Sequence, residues 1–199
     1  NLKTISEGAI QQLNKINALV EQLLDLKKIQ SGSLSYNWNH FSIHDITEDL
    51  ILKSRTIYPD RNIVFKSNSN VTIWGDVERL SQAIENLLNN AIKFSEEDKE
   101  VTIELFDDNA NVFLNITDYG IGIDKAYLGR VFDRFFRIPG LKEQTYPGLG
   151  MGLYLTKKII EKHNGKITVE SEKNNYTKFS VKIPISNQTT ETYGQNLSS

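Results

Sequence analysis

Residues 76–95, DVERLSQAIENLLNNAIKFS, decide the architecture. Wound as a helix at about 100° per residue, they gather Leu80, Ile84, Leu87, Leu88 and Ala91 into one apolar stripe and set Asn86, Asn90 and Lys93 roughly opposite. The stripe calls for a sheet to lie on. The other side carries two carboxamides and an ammonium at i, i+4 and i+7, although Asn is a mediocre helix former and Glu, Lys or Gln would solvate a surface at lower cost. That face suits a polar ligand, and it fits equally a solvated surface that happens to be rich in Asn.

Composition narrows the classes around this helix. The 199 residues are 39% hydrophobic and 24% charged, enough for one good core plus an extra element. With 23 basic against 25 acidic side chains, the net charge of -2 offers no basic field for nucleic acid and no polybasic patch for a membrane. There is no cysteine, hence no disulfide framework and no thiolate chemistry, which suits a reducing, cytoplasmic setting. No apolar run approaches the roughly 20 residues that span a bilayer, and the opening NLKTISEGAI is not a signal peptide. A membrane anchor is therefore expected only outside these residues. The sequence starts in mid-pattern, as a piece cut from a longer chain would.

Upstream of the Asn-bearing helix, apolar residues recur at Leu2, Ile5, Ala9, Ile16, Leu19, Leu23 and Leu26, and Leu13, Val20 and Leu24 widen the stripe. This predicts a long amphipathic helix whose seam needs a partner helix or a second copy, ending near Gly32. Residues 34–41, LSYNWNHF, alternate as a strand. Ser42 with Asp45 resembles a capping box opening a helix that ends before Pro59, short strands follow at 63–66 and 71–74, and Asp76 is placed to cap the Asn-bearing helix. Beyond it, 101–106 and 112–117 predict a hairpin, and 166–170 with 178–183 a closing pair of strands. Residues 186–199 are too poor in apolar side chains to fold and are expected to form a tail. Hairpins dominate. The expected fold is α+β, a two-layer sandwich with helices on one face of a mixed, mostly antiparallel sheet, preceded by the long helix. Its divisions are 1–32, 33–185 and 186–199.

Three further stretches carry chemistry. Asp118 ends a strand and is followed by Tyr119-Gly120-Ile121-Gly122-Ile123, where glycines let backbone approach a flat ligand and the carboxylate can accept from an exocyclic amine. Many proteins have a strand-terminal Asp before a glycine turn, so this pattern alone is weak. Gly148-Leu149-Gly150-Met151-Gly152 runs straight into a helix from Leu153, leaving backbone N–H groups open to an anion. It fits neither the P-loop nor the Rossmann turn. Between them, Val131-Phe132-Asp133-Arg134-Phe135-Phe136-Arg137 precedes a loop with Pro139, Gly140 and Pro147. These residues form either a core plug with snorkelling cations or the hinge of a closing loop that offers guanidinium groups to phosphate.

Taken in order, the four stretches resemble the ATP-binding catalytic domain of sensor histidine kinases, part of the wider ATPase group that includes DNA gyrase, MutL and a heat-shock chaperone. NLLNNAIKFS is similar to that family's N box, DYGIGI to its first glycine box, FDRFFR to its F box and GLGMGL to its second glycine box. LVEQLLDLKKIQSGSL is similar to the second helix of the preceding dimerisation domain. The resemblance implies an enzyme that binds ATP and Mg²⁺ and phosphorylates a histidine for relay to a response regulator, working as a homodimer through the N-terminal helix. It implies that Asn90 holds Mg²⁺, that Lys93 and Arg137 meet the phosphates, and that Phe94 packs beside the nucleotide, with Asn86 one turn earlier on the same face. It implies that Asp118 reads adenine, with Gly120, Gly122 and Ile123 beside the base, that Gly148, Leu149, Gly150, Met151, Gly152 and Leu153 make the lid hinge and phosphate loop, and that Thr177 lies nearby. The usual glycine-containing third box is replaced here by SEKNNYTKF.

Asn86 stands where hydrolytic relatives carry a water-activating Glu, and a carboxamide takes no proton at neutral pH. The alternatives are an ATP-hydrolysing clamp of the gyrase and MutL type and a nucleotide-free interaction module. His40, His44 and His163 all lie outside any phosphoacceptor context, so the acceptor is expected upstream or on a partner. His40 and His44 have a zinc-like spacing without further ligands near them.

Overall fold

The computed structural model describes residues 34–140 and 149–185, with residues 13, 20, 23–25, 27, 28 and 31. Most of the expected N-terminal helix, the expected tail at 186–199 and Gly148 lie outside the described residues. In chain order come strand β1 (Trp38–Ser42), helix α1 (Ile43–Ile57), strands β2 (Ile63–Ser67) and β3 (Thr72–Asp76), helix α2 (Val77–Phe94) and the hairpin β4 (Val101–Asp107) and β5 (Asn111–Asp118). They are followed by the single turn α3 (Lys125–Leu128), helix α4 (Gly152–Lys162), and the hairpin β6 (Lys166–Glu172) and β7 (Tyr176–Pro184).

Five strands form one sheet in the order β2-β4-β5-β7-β6, antiparallel except for β2 beside β4. The expected α+β sandwich is the fold observed. One difference is that β1 and β3 pair apart from it as a two-stranded sheet. The first strand also begins four residues later than the alternation at 34–41 predicts. The Asn37 N–H goes to the Asp76 carboxylate at 2.7 Å instead of to a ladder, and Tyr36 stacks on Trp38.

Register puts Leu105, Leu114, Val181 and Ile167 in one row across four strands, and all four are buried. The α2 stripe of Leu80, Ile84, Leu87, Leu88 and Ala91, joined by Ala83, packs into the same core, as do Ile43 and Ile51 of α1 and Ile159 and Ile160 of α4. The larger side chains are each worth roughly 1.5–3 kcal/mol of burial. The helices therefore share one face of the sheet.

Both ends of α2 are fixed. At its start the Asp76 carboxylate accepts from the Arg79 N–H at 3.0 Å, as a capping Asp should. The Asp76 N–H donates to Nε2 of fully buried His163 at 2.9 Å. The Ile159 carbonyl lies 2.8 Å from Nδ1, so Nδ1 carries the proton and the ring is neutral. Burial lowers its pKa, against partial opposition from the Ile159 carbonyl and the Asp76 charge. A side chain at Gly75 would meet that ring at 2.9 Å. The carboxylate of Asp25, itself buried, accepts from Arg79 Nη1 and Gln82 Nε2, each at 2.9 Å, tying the N-terminal stretch to the first turns of α2. No described helix is long and apolar enough to cross a membrane.

Candidate active site

The polar face of α2 opens into a cleft walled by the end of β5, the loop after it and the start of α4. Asn86, Asn90, Lys93 and Phe94 line it from the helix. Lys93 is half-buried, and burial followed by the nearby Arg137 charge pulls its pKa down. Two cations lining one partly desolvated cleft suit a polyanion. The Lys93 ammonium also sits 4.9 Å from the centre of the Phe94 ring.

Asp118 lies at the far end of β5, where register places it opposite Thr177 of β7. The residue is 3% exposed, and Oδ1 has no hydrogen-bond partner among the described residues. Burial pushes its pKa up to about 7, a rise that a hydrogen bond from the Gly120 backbone partly offsets. A buried acceptor without a donor costs free energy, and a cleft beside it points to a ligand that supplies one. Thr177 shares its hydroxyl contact with Ser171 at 3.1 Å, and Ser171 Oγ accepts from the Ile123 N–H at 2.8 Å. This is how β6 and β7 hold the glycine turn in place although the third box departs from its usual form.

Gly122 and Ile123 line the cleft. Gly122 has φ +58°, and a side chain there would collide with the Glu172 carbonyl. Gly120 is not among the lining residues. It sits under α2, where any Cβ would strike the Phe94 carbonyl, so its lack of a side chain serves the helix contact.

At the third wall, Leu149, Gly150, Met151, Gly152 and Leu153 line the cleft. The α4 start has no side-chain cap among the described residues, and Gly152 and Leu153 of its first turn, where a helix leaves N–H groups without intrahelical acceptors, line the opening. Gly150 has φ +70° and packs against the Phe135–Phe136 peptide, with a would-be Cβ 2.5 Å from the Phe136 carbonyl. Gly152 abuts the Asn86 carboxamide. Asn86 Nδ2 donates to the buried Thr156 hydroxyl at 2.9 Å, so this side chain ties α2 to α4 as well as lining the cleft.

The segment 131–137 divides between core and cleft. Val131 is buried and Phe132 packs on the core, while Phe136 and Arg137 line the cleft. Phe135 is half exposed with φ +62°, a conformation bulky residues rarely adopt, and the Arg134 guanidinium lies 5.3 Å from its ring. His40 rests against Trp74 and His44 against Phe65, on elements away from the cleft. Ile121, Val131, Phe136, Ile138 and Phe179 complete the lining, and sequence reasoning singled out none of them as site residues because apolar walls look like core.

Three comparisons bear on this geometry. The family model described as "Histidine kinase-, DNA gyrase B-, and HSP90-like ATPase" matches residues 75–187. The chain is 29% identical over 174 residues to the signal transduction histidine-protein kinase ArlS of Staphylococcus haemolyticus, covering 87% of this chain and 38% of that protein. It is 30% identical over 177 residues to the sensor protein SrrB of Staphylococcus aureus, covering 88% of this chain and 30% of that protein. The chain thus spans about a third of these relatives' length. Among solved structures, the mycobacterial sensor histidine kinase MprB superposes with a TM-score of 0.66 at 26% identity, covering 74% of this chain and 97% of that one.

Proposed function

The chain belongs to the family of histidine kinase-, DNA gyrase B- and HSP90-like ATPases, and from that premise we propose that it is the ATP-binding catalytic portion of a sensor histidine kinase. Residues 33–185 form the catalytic domain, and the N-terminal stretch belongs to a dimerisation helix through which two copies associate. The γ-phosphoryl group goes to a histidine outside this sequence and then to a response regulator.

The buried Asp118 Oδ1, without a donor among the described residues and on the same cleft as Asn90 and Lys93, carries this reading. Asp118 accepts from the adenine amino group, and Gly122 lines the cleft beside it. Lys93, Arg137 and the first N–H groups of α4 take the phosphate oxygens. Among the described residues no cluster of His, Cys, Asp or Glu could cage a metal alone, whereas one carboxamide plus phosphates suits Mg²⁺, which keeps most of its water. Asn90 is the residue that would hold it, and the bound ion would neutralise charge on the transferring group. Asn86, engaged with Thr156, cannot act as a base toward water, which leaves the phosphoryl group for the histidine.

The test is calorimetry with Mg·ATP, followed by labelled ATP and a dimerisation domain bearing a histidine. Saturable binding followed by acid-labile label on that domain is expected. Absence of binding at millimolar nucleotide would leave an interaction module, and steady-state hydrolysis lost in Asn90→Ala without transfer would identify an ATP-driven clamp.

A further inference from the structure

Arg61 stands in the loop between α1 and β2, outside the cleft, yet its guanidinium holds the end of the helix that lines it. Nη2 donates to the Ile92 carbonyl, to the Ser95 carbonyl at 3.1 Å and to Ser95 Oγ at 2.6 Å, while Nη1 donates to the Glu96 carbonyl at 2.5 Å. A helix leaves its last four carbonyls without internal donors, and a cation at that end is favoured by the helix dipole. Arg61 satisfies one of them and grips the turn that follows.

That turn joins the two halves of the site. Lys93 and Phe94, the last residues of α2, line the cleft just before it, and Asn90 lies one helical turn earlier. On its other side the Phe94 carbonyl accepts from the Ile121 N–H at 3.2 Å, and Ser95 bridges to Gly120, two residues beyond Asp118. Gly120 is packed so closely on the Phe94 carbonyl that a shift of the turn must move one glycine box.

We propose that Arg61 is a positioning residue for nucleotide binding, setting the helix end so that the phosphate-side cations and the base-side loop meet one ligand. The inference rests on the functional reading above. It concerns a side chain that touches no ligand.

The experiment titrates Mg·ATP into the 199-residue chain and into Arg61→Ala, Arg61→Lys, Ser95→Ala and Arg55→Ala. Arg55 is the control, because its Nη2 also donates to a backbone carbonyl, that of Ile63 at 2.7 Å, which belongs to β2 and not to α2. Arg61→Ala should bind at least about tenfold more weakly, since it removes several charge-assisted bonds at once. Arg61→Lys, keeping the charge but not the fork, should recover part of the loss, and Ser95→Ala should show a smaller loss in the same direction. Arg55→Ala should stay within about twofold of the parent at a similar cost in Tm. Parent-like affinity in Arg61→Ala, or an equal loss in Arg55→Ala, would overturn the assignment. If Arg61→Ala does not fold, Arg61→Lys and Ser95→Ala decide it, and parent-like affinity in both overturns it. A parent chain that binds no Mg·ATP overturns the functional reading itself, and the assignment with it.

Discussion

Asp118 shows what it costs to bury a carboxyl without a donor among the described residues. Its folded-state pKa of about 7 lies above the ordinary 3.8, so the native protein retains a proton that the unfolded chain releases. Stability relative to an uncharged side chain therefore falls as pH rises from about 4 to about 7, then levels off. Asp118→Asn should unfold at higher denaturant than the parent at pH 8, by roughly 1–4 kcal/mol, and show no gain near pH 4. An equal gain at both pH values would mean that the charge is not the cause. Ligand binding should run the other way, because only the ionised carboxyl is a pure acceptor. ATP affinity should weaken about tenfold between pH 8 and pH 6 in the parent and lose that slope in Asp118→Asn. Thr156 offers a second test. Thr156→Val keeps the shape but strands the Asn86 Nδ2 donor, costing about 1–2 kcal/mol in urea unfolding. Adding Asn86→Ala should then cost less than it does in the parent, and strict additivity would show that the two side chains are not coupled.

At the level of elements, what the sequence announced and what it concealed divide by distance along the chain. The α2 stripe, its Asp76 cap, both hairpins and the capless start of α4 are legible because each depends on neighbours within a few residues. The separation of β1 and β3 from the main sheet is not legible, nor is the late start of β1, where Asp76 takes the Asn37 N–H across 39 residues. His163 reads as one histidine of three and turns out to be the buried acceptor behind that same Asp76. The α4 opening makes its own demand on sequence. At Gly150 a left-handed φ of +70° and a carbonyl 2.5 Å from any Cβ both exclude a side chain. Gly150→Ala should lose at least about 1–2 kcal/mol of stability and weaken ATP more than adenosine, as the strain falls at the helix start to which the proposed function assigns the phosphates. Equal loss for the two ligands would place the damage elsewhere.

Across the whole molecule, the two helices that line the cleft are held from outside it: α2 by Asp25 at its start and Arg61 at its end, α4 through His163 at its end. The cleft residues were readable as motifs because a ligand demands particular side chains at fixed spacing, whereas these anchors are recognisable only through partners 31 to 87 residues away, which no local pattern reveals. Asp25 is the anchor that links the catalytic core to the N-terminal stretch. Its side chain is 12% exposed and that of Arg79 21%, so each charge depends on the other more than a surface pair would. Truncating either one alone strands a partly desolvated charge, while truncating both removes the need for pairing. A double-mutant cycle of Asp25→Ala and Arg79→Ala, read by thermal unfolding, should therefore give a coupling of about 1–3 kcal/mol. Gln82→Ala should lower that coupling by a few tenths of a kcal/mol, because the Gln82 amide shares the same carboxylate oxygen. A coupling near zero would mean that the N-terminal stretch is not held on α2 by this pair in solution, and that the start of the Asn-bearing helix is fixed by Asp76 alone.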